Sequence, residues 1–119
     1  MKSGPLKEKS LLFALRIVKL YKYLVLEQKE QVLSKQVLRS GTAIGALHRE
    51  SECAESKSDF IHKLAIAQKE CNETLYWFEI LYKSDYLDPN GYNSLNQDAN
   101  ELYKLITSSI KTAKSSLKR

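Results

Sequence analysis

Apolar residues recur along the chain at intervals of three and four positions, in four long stretches that cover about 10–27, 34–54, 57–86 and 89–117. This interval matches the repeat of the α-helix and not that of a strand. In the first stretch, Leu11, Leu15, Val18, Tyr21 and Val25 form the predicted buried stripe. Short connections place consecutive helices antiparallel. The pattern therefore predicts an all-α, antiparallel up-down-up-down four-helix bundle, with residues 1–119 as a single domain.

Residues that favour helix starts lie where three of these stretches begin. Ser34 is the predicted N-cap of the second helix, and Ser56 precedes Asp59 by three positions, as in a capping box. Asp88 and Pro89 predict a cap and a first helical position for the fourth helix.

The composition narrows the class of protein. The 119 residues are 43% hydrophobic and include only 4 Gly and 2 Pro, too few for the turns of a β-sandwich and too apolar overall for disorder. There is no apolar run long enough for a membrane span and no signal-peptide pattern. Two cysteines, Cys53 and Cys71, cannot form a zinc framework or a disulfide scaffold. We therefore expect a cytoplasmic protein with no membrane partner.

The net charge of +5 comes from the two ends of the chain. Residues 1–23 hold six basic residues and one acid, and residues 104–119 hold five basic residues and no acid. Helical spacing places three of them on one face of the first helix: Lys9, Arg16 and Lys19. It places four on one face of the last helix: Lys104, Lys111, Lys114 and Lys118. In the predicted bundle both faces meet at one end. They form a phosphate-binding surface, a solvated face, or a face that pairs with acids of a neighbouring subunit.

Gly41 and Gly45 lie inside the second predicted helix, where each costs about 1 kcal/mol relative to alanine. Their spacing puts both on one side of the helix, so we predict that another helix packs closely there. A phosphate-binding P-loop is excluded because no Gly-Lys-Ser/Thr sequence follows a strand.

Three blocks of sequence, in this order, resemble the bacterial four-helix-bundle proteins called 23S ribosomal-RNA intervening-sequence proteins: SKQVLRSGTAIGA from residue 34, AESKSDFIHKLAIA from residue 54, and ECNETLYW from residue 70. The resemblance extends from Phe13 to Leu87. It implies a four-helix protomer that assembles as a ring-like homopentamer. It also implies kinship with the accessory variability proteins of diversity-generating retroelements, basic pentamers that bind nucleic acid. It supplies no biochemical activity.

The sequence contains only parts of the residue sets that known catalytic sites need. Asp59 and His62 have the spacing of a di-iron motif, but a di-iron site needs two such motifs and further glutamates. The Arg–His spacing of helical-bundle ribonucleases and the motifs of nucleophilic hydrolases are both missing from the sequence. We expect no enzyme activity, no metal and no cofactor.

Aromatic residues cluster on the third predicted helix, among them Tyr76, Trp77 and Tyr82. Together with His62 they are predicted to contact a neighbouring subunit, although a base-stacking platform uses the same residue types. The sequence therefore predicts a non-enzymatic homo-oligomer that binds RNA or DNA weakly and without sequence specificity. The alternative is an adaptor that binds another protein and no nucleic acid.

Overall fold

Four α-helices and no strand make up residues 4–117, the part of the chain that this computed structural model describes. The helices are α1 (Gly4–Leu26), α2 (Leu33–Glu52), α3 (Lys57–Lys83) and α4 (Pro89–Leu117). The predicted all-α class is confirmed. α1 starts six residues before the predicted position 10, because Leu6 reaches the core and extends the buried stripe by one turn.

The helix starts of α3 and α4 use the side chains that the sequence indicates. The Ser56 hydroxyl accepts a hydrogen bond from the Asp59 backbone N–H at 3.0 Å. The Asp88 carboxylate accepts one from the Gly91 N–H at 2.6 Å. Both bonds satisfy N–H groups that have no partner within the first turn of a helix.

The start of α2 differs from the prediction. Ser34 does not cap the helix, since it is buried within the first turn and the helix begins at Leu33. The carboxylate of Glu30 accepts hydrogen bonds from the N–H groups of Val32, Leu33 and Ser34, at 2.7–3.0 Å. A longer side chain from outside the helix thus performs the capping, and simple N-cap preferences do not reveal it.

Each helix packs against its neighbour in sequence, and α4 returns to contact α1 more sparsely. Between α3 and α4, Gln68 hydrogen-bonds Thr107, while Cys71, further along α3, hydrogen-bonds Ala99, which lies earlier on α4. The later residue of α3 thus contacts the earlier residue of α4, as expected for two helices that run in opposite directions. The molecule measures 51 × 21 × 21 Å, as a bundle of helices of this length should.

The core stripe of α1 is not the predicted one. Leu11 and Leu15 are 46% and 58% exposed, so that prediction is wrong for both. The side chains of α1 that are buried instead form a second stripe: Leu6, Ser10, Phe13, Ile17, Leu20 and Leu24. α1 has apolar residues on two faces, and periodicity alone cannot tell which of them meets the bundle.

Candidate functional site

The second half of α4 carries no acid. Glu101 is the last acidic residue of the chain. Lys104, Lys111 and Lys114 are exposed and form no ion pair among the described residues. The uncharged polar residues between and after them are all Ser or Thr. The second half of α4 therefore offers ammonium and hydroxyl donors, and the carboxylates of the helix, Asp98 and Glu101, lie before it.

The basic residues of α1 are placed differently. Lys9 Nζ lies 2.8 Å from Glu101 Oε2 on α4, and Arg16 Nη1 lies 2.8 Å from Asp98 Oδ2. Arg16 also donates to the Ser94 hydroxyl at 2.7 Å. These two predicted phosphate ligands are thus already paired with carboxylates of α4.

Of the other predicted ligands, Lys19 is exposed and forms no ion pair within residues 4–117. Lys118 lies outside the described residues. Within the described part, the structure therefore leaves four unpaired cations from the predicted set, three of them on α4. Lysine and hydroxyl side chains are the groups that contact phosphate oxygens in nucleic-acid complexes.

A groove of about 680 Å³ lies beside this half of α4. The start of α1, the end of α2, the start of α3 and the last turns of α4 line it. Pro5 and Ser116 both border it, so the beginning of α1 and the end of α4 lie at the same end of the molecule. Lys57, at the start of α3, donates to the Ser116 hydroxyl at 2.5 Å.

His48 lines this groove and is 7% exposed. Its Nδ1 atom is buried and has no hydrogen-bond partner among the described residues. Burial lowers the pKa of His48; nearby Lys7 and Arg49 lower it further, whereas Glu52 opposes them. The imidazole is therefore held neutral, with one donor and one acceptor nitrogen.

The outer face of α1 is the surface that the sequence interpretation missed. Leu11, Leu12 and Leu15 are about half exposed there, at 46–58%. Near them, Ala14, Gly45 and Ala46 help to form a shallow crevice between α1 and α2. Adjacent exposed leucines of this kind are typical of a protein–protein contact surface. The sequence of α1 has apolar residues on two faces, and this pattern could have indicated that one of them is exposed.

The side chains predicted to contact a neighbouring subunit are not equivalent in the structure. Tyr82 stacks on Tyr92 of α4 with ring centres 4.4 Å apart, and Trp77 donates to Glu73 at 3.0 Å. Both are half-buried within the chain. His62 and Tyr76 are exposed, Tyr76 by 57%.

No site for a metal ion is evident in the described part of the chain, where no three His, Cys, Asp or Glu side chains are grouped closely enough to hold one. Asp59, one half of the candidate di-iron spacing, instead accepts a hydrogen bond from the Glu55 N–H at 3.2 Å. None of the four described helices combines the length and apolar character that crossing a membrane requires.

The sequence profile of the 23S rRNA-intervening sequence protein family matches residues 5–108. The chain belongs to this family. A solved structure from Bacteroides thetaiotaomicron, described as a protein with unknown function from the S23 ribosomal protein family, is 58% identical to it. The two superpose with a TM-score of 0.91 over 93% of this chain and 99% of that one. No curated protein matches the chain.

The family match ends at residue 108, inside α4. Lys111 and Lys114 lie beyond it, whereas the ion pairs of Lys9 and Arg16 with α4 lie within it. The matched region therefore includes the pairing of α1 with α4 but only the first part of the acid-free segment.

Proposed function

We propose that this protein is a non-enzymatic, homo-oligomeric, antiparallel four-helix bundle that binds nucleic acid weakly and without sequence specificity through the second half of α4. The observation that carries this proposal is the row of unpaired lysines, Lys104, Lys111 and Lys114, on a stretch of helix that has no acid. Kinship with the nucleic-acid-binding accessory variability proteins, which the sequence resemblance implies, favours the same function.

Weak, sequence-tolerant binding follows from the type of contact. Lysines on an exposed helix neutralise phosphates and release counterions, and neither effect depends on base sequence. Three such lysines in one chain supply little affinity. In an oligomer the same site is repeated, and a long polymer that contacts several copies gains avidity without any new contact.

The exposed leucines of α1 supply the surface for self-association. Contact with water is unfavourable for the exposed side chains of Leu11, Leu12 and Leu15. When a second copy of the chain covers them, their burial stabilises the assembly. A ring of five subunits is the assembly that the family resemblance implies.

A protein–protein adaptor is the second candidate. The pairing of Lys9 and Arg16 with carboxylates of α4 reduces the cations available to phosphate, and exposed Tyr76 and His62 on α3 offer a surface for another protein. In this alternative the lysines of α4 only keep the protein soluble.

A salt titration tests the nucleic-acid proposal. We expect the wild-type protein to bind random-sequence RNA and DNA at low salt, with an affinity that falls steeply as salt rises. The triple variant Lys104→Glu, Lys111→Glu and Lys114→Glu should lose most of this affinity and reduce the salt slope by about one per lysine.

The control carries the same charge change on three other exposed lysines that form no ion pair within residues 4–117, namely Lys29→Glu, Lys35→Glu and Lys69→Glu. If both triple variants lose affinity equally, net charge and not the α4 surface determines binding. If the wild type does not bind at low salt, the nucleic-acid proposal is rejected and the adaptor is favoured.

Self-association is tested by light scattering during size-exclusion chromatography. Leu15→Glu places a charge in the middle of the exposed leucines and should yield monomers, while Val32→Glu, at an exposed loop residue, should leave the assembly intact. A wild-type protein that elutes as a monomer at all concentrations would contradict the proposal.

A further inference from the structure

A second groove, of about 830 Å³, lies where α3 ends and α4 begins, at the other end of α3 from the groove that Lys57 borders. Tyr23 of α1, Tyr82 of α3 and Tyr86 of the α3–α4 loop line it, and we call it the tyrosine groove. Its volume is in the range of sites that enclose one small ligand. The tyrosine groove therefore has room for a single side chain of a partner and its flanking backbone.

The rings of the tyrosine groove are held by contacts within the chain but are not covered by them. Tyr82 stacks on Tyr92 of α4, with ring centres 4.4 Å apart and ring planes 6° apart. The Tyr23 hydroxyl accepts a hydrogen bond from the Gln28 amide at 2.6 Å, and Tyr23 is still 41% exposed. Tyr86 packs against the core and is partly exposed. Aromatic faces that are held in place in this way attract cations.

The charged groups at the tyrosine groove leave an excess of negative charge. Asp85 and Asp88 line it, both are exposed, and neither forms an ion pair among the described residues. Lys83 is the one base among the described lining residues, and its Nζ lies 3.0 Å from Glu79 Oε2. On a chain with a net charge of +5, this groove is therefore complementary to a cation.

Asp85 is unfavourable for the end of the helix on which it lies. Its φ of 68° is in the left-handed region, where glycine is favoured. The N–H groups of Asp85 and Tyr86 bond to the carbonyls of Tyr82 and Leu81, a Schellman motif that glycine would form equally well. The Asp85 carboxylate also meets the negative end of the α3 dipole. It thus weakens the end of α3, as expected of a group that is kept for binding.

We propose that the tyrosine groove binds an arginine side chain in an extended segment of a partner protein. The guanidinium group is planar, stacks on aromatic faces and pairs with a carboxylate through two parallel hydrogen bonds. The tyrosine rings and Asp85 supply both kinds of contact in one groove. Lysine is a poorer ligand, because its ammonium group is more strongly hydrated and cannot form the parallel pair of bonds.

This site is separate from the proposed nucleic-acid surface. Lys104, the first of the α4 lysines, lies fifteen positions after Pro89, which is about 22 Å along the helix. A cationic segment is repelled by those lysines and attracted by the tyrosine groove, so the two sites take ligands of opposite charge. The arginine site therefore does not depend on the proposed function.

The test uses unlabelled peptides in which a single arginine lies between glycine and serine residues. The comparison peptides have lysine or citrulline in its place. Backbone amide NMR of the isotope-labelled protein, at one fixed low salt concentration, gives the dissociation constant and the place of binding. We expect the arginine peptide to bind about tenfold more tightly than the citrulline peptide, since a charge-assisted pair contributes about that factor. It should also bind more tightly than the lysine peptide, with shifts confined to amides around the tyrosine groove.

Asp85→Gly is the main variant, because it removes the carboxylate and also relieves the left-handed backbone. We expect it to raise the midpoint of urea denaturation and to lose the preference for arginine over citrulline. A loss of binding in a more stable protein does not come from unfolding.

Glu8→Gln is the matched control, since it removes one carboxylate that is exposed and forms no ion pair within residues 4–117. It should keep the wild-type preference. Tyr23→Leu removes an aromatic face, keeps an apolar side chain, and should weaken binding of the arginine peptide.

The outcomes separate this inference from the proposed function. No binding, equal affinity for arginine and citrulline or lysine peptides, or an unchanged preference in Asp85→Gly overturns the inference. If light scattering shows that Asp85→Gly alters the oligomeric state of the wild type, the groove holds a second copy of this chain, and the inference is also overturned. Asp85→Gly should keep wild-type affinity for RNA. Failure of the wild type to bind RNA or DNA rejects the proposed function and leaves the arginine site intact.

Discussion

Gly41 of α2 lies directly against Ile17 of α1: a Cβ atom on Gly41 would lie 2.7 Å from Ile17 Cγ1 and 2.9 Å from Cδ1. Ile17 is fully buried, so its side chain has little space into which it can move. Gly41→Ala should therefore destabilise the fold by about 1–3 kcal/mol through overpacking. A gain in helix propensity of about 1 kcal/mol offsets part of this loss. Urea denaturation measures the difference.

Gly45→Ala is the natural comparison, since Gly45 lies one turn further along the same face. Its nearest neighbour is Ser10 Oγ, at 3.3 Å from the added Cβ. This contact is much less tight than the one at Gly41, and the gain in helix propensity opposes its cost, so we expect a change in unfolding free energy within about 1 kcal/mol of zero. Equal destabilisation by the two substitutions would argue against close packing at Ile17 as the cause.

Glu30→Ala should destabilise the protein by about 1–2 kcal/mol, since it removes the acceptor for three N–H groups at the start of α2. Burial raises the pKa of Glu30, but the backbone donors from Leu33, Ser34 and Val32 outweigh it and lower the pKa below its ordinary value. The stabilisation is therefore present at neutral pH and is lost as the pH falls through the folded-state pKa.

Glu27→Ala is the matched control for Glu30, because Glu27 is exposed in the same loop and accepts no side-chain hydrogen bond among the described residues. Chemical denaturation at pH 7 and at acid pH should show a difference between the two variants that shrinks on acidification. A constant difference would mean that Glu30 contributes by packing and not as a carboxylate.

Cys71 should be unreactive in the folded protein. Burial raises the pKa of its thiol to about 12, and the thiol donates to the Ala99 carbonyl at 3.2 Å. Because the thiolate is the reactive species, Ellman's reagent should modify only exposed Cys53 in the native state, and both cysteines in denaturant. Cys53→Ser should leave a native protein with no reactive thiol. Rapid reaction of that variant would show that the α3–α4 contact opens readily.

His48 should make the fold less stable as the pH falls below about 6.5, the ordinary pKa of histidine. Burial lowers the pKa of His48 in the folded state, so the unfolded chain binds the proton more readily and is favoured in acid. Thermal unfolding between pH 7.5 and 5 should show a decrease in Tm that His48→Gln reduces. Exposed His62→Gln is the control and should keep the wild-type pH dependence.

The predicted basic faces show what sequence can indicate about a surface. Spacing alone placed Lys104, Lys111 and Lys114 together on α4, where they are exposed. It could not predict that Glu101 and Asp98 contact Lys9 and Arg16, because those pairs depend on how far α1 is shifted along α4. The groove lined by His48 depends on four separate segments of chain, and no local pattern encodes it.

The sequence by itself determined the number of helices and the start of α4 at Pro89, because caps and periodicity act within a few residues of one another. Only the tertiary structure decided which apolar face of α1 enters the core. Ile17 fits where Gly41 leaves room on α2, and Leu15 on the opposite side of α1 has no such partner within the described chain. Both faces are apolar enough to be buried, so the choice depends on shape complementarity between two helices, which the pattern of either helix alone does not contain.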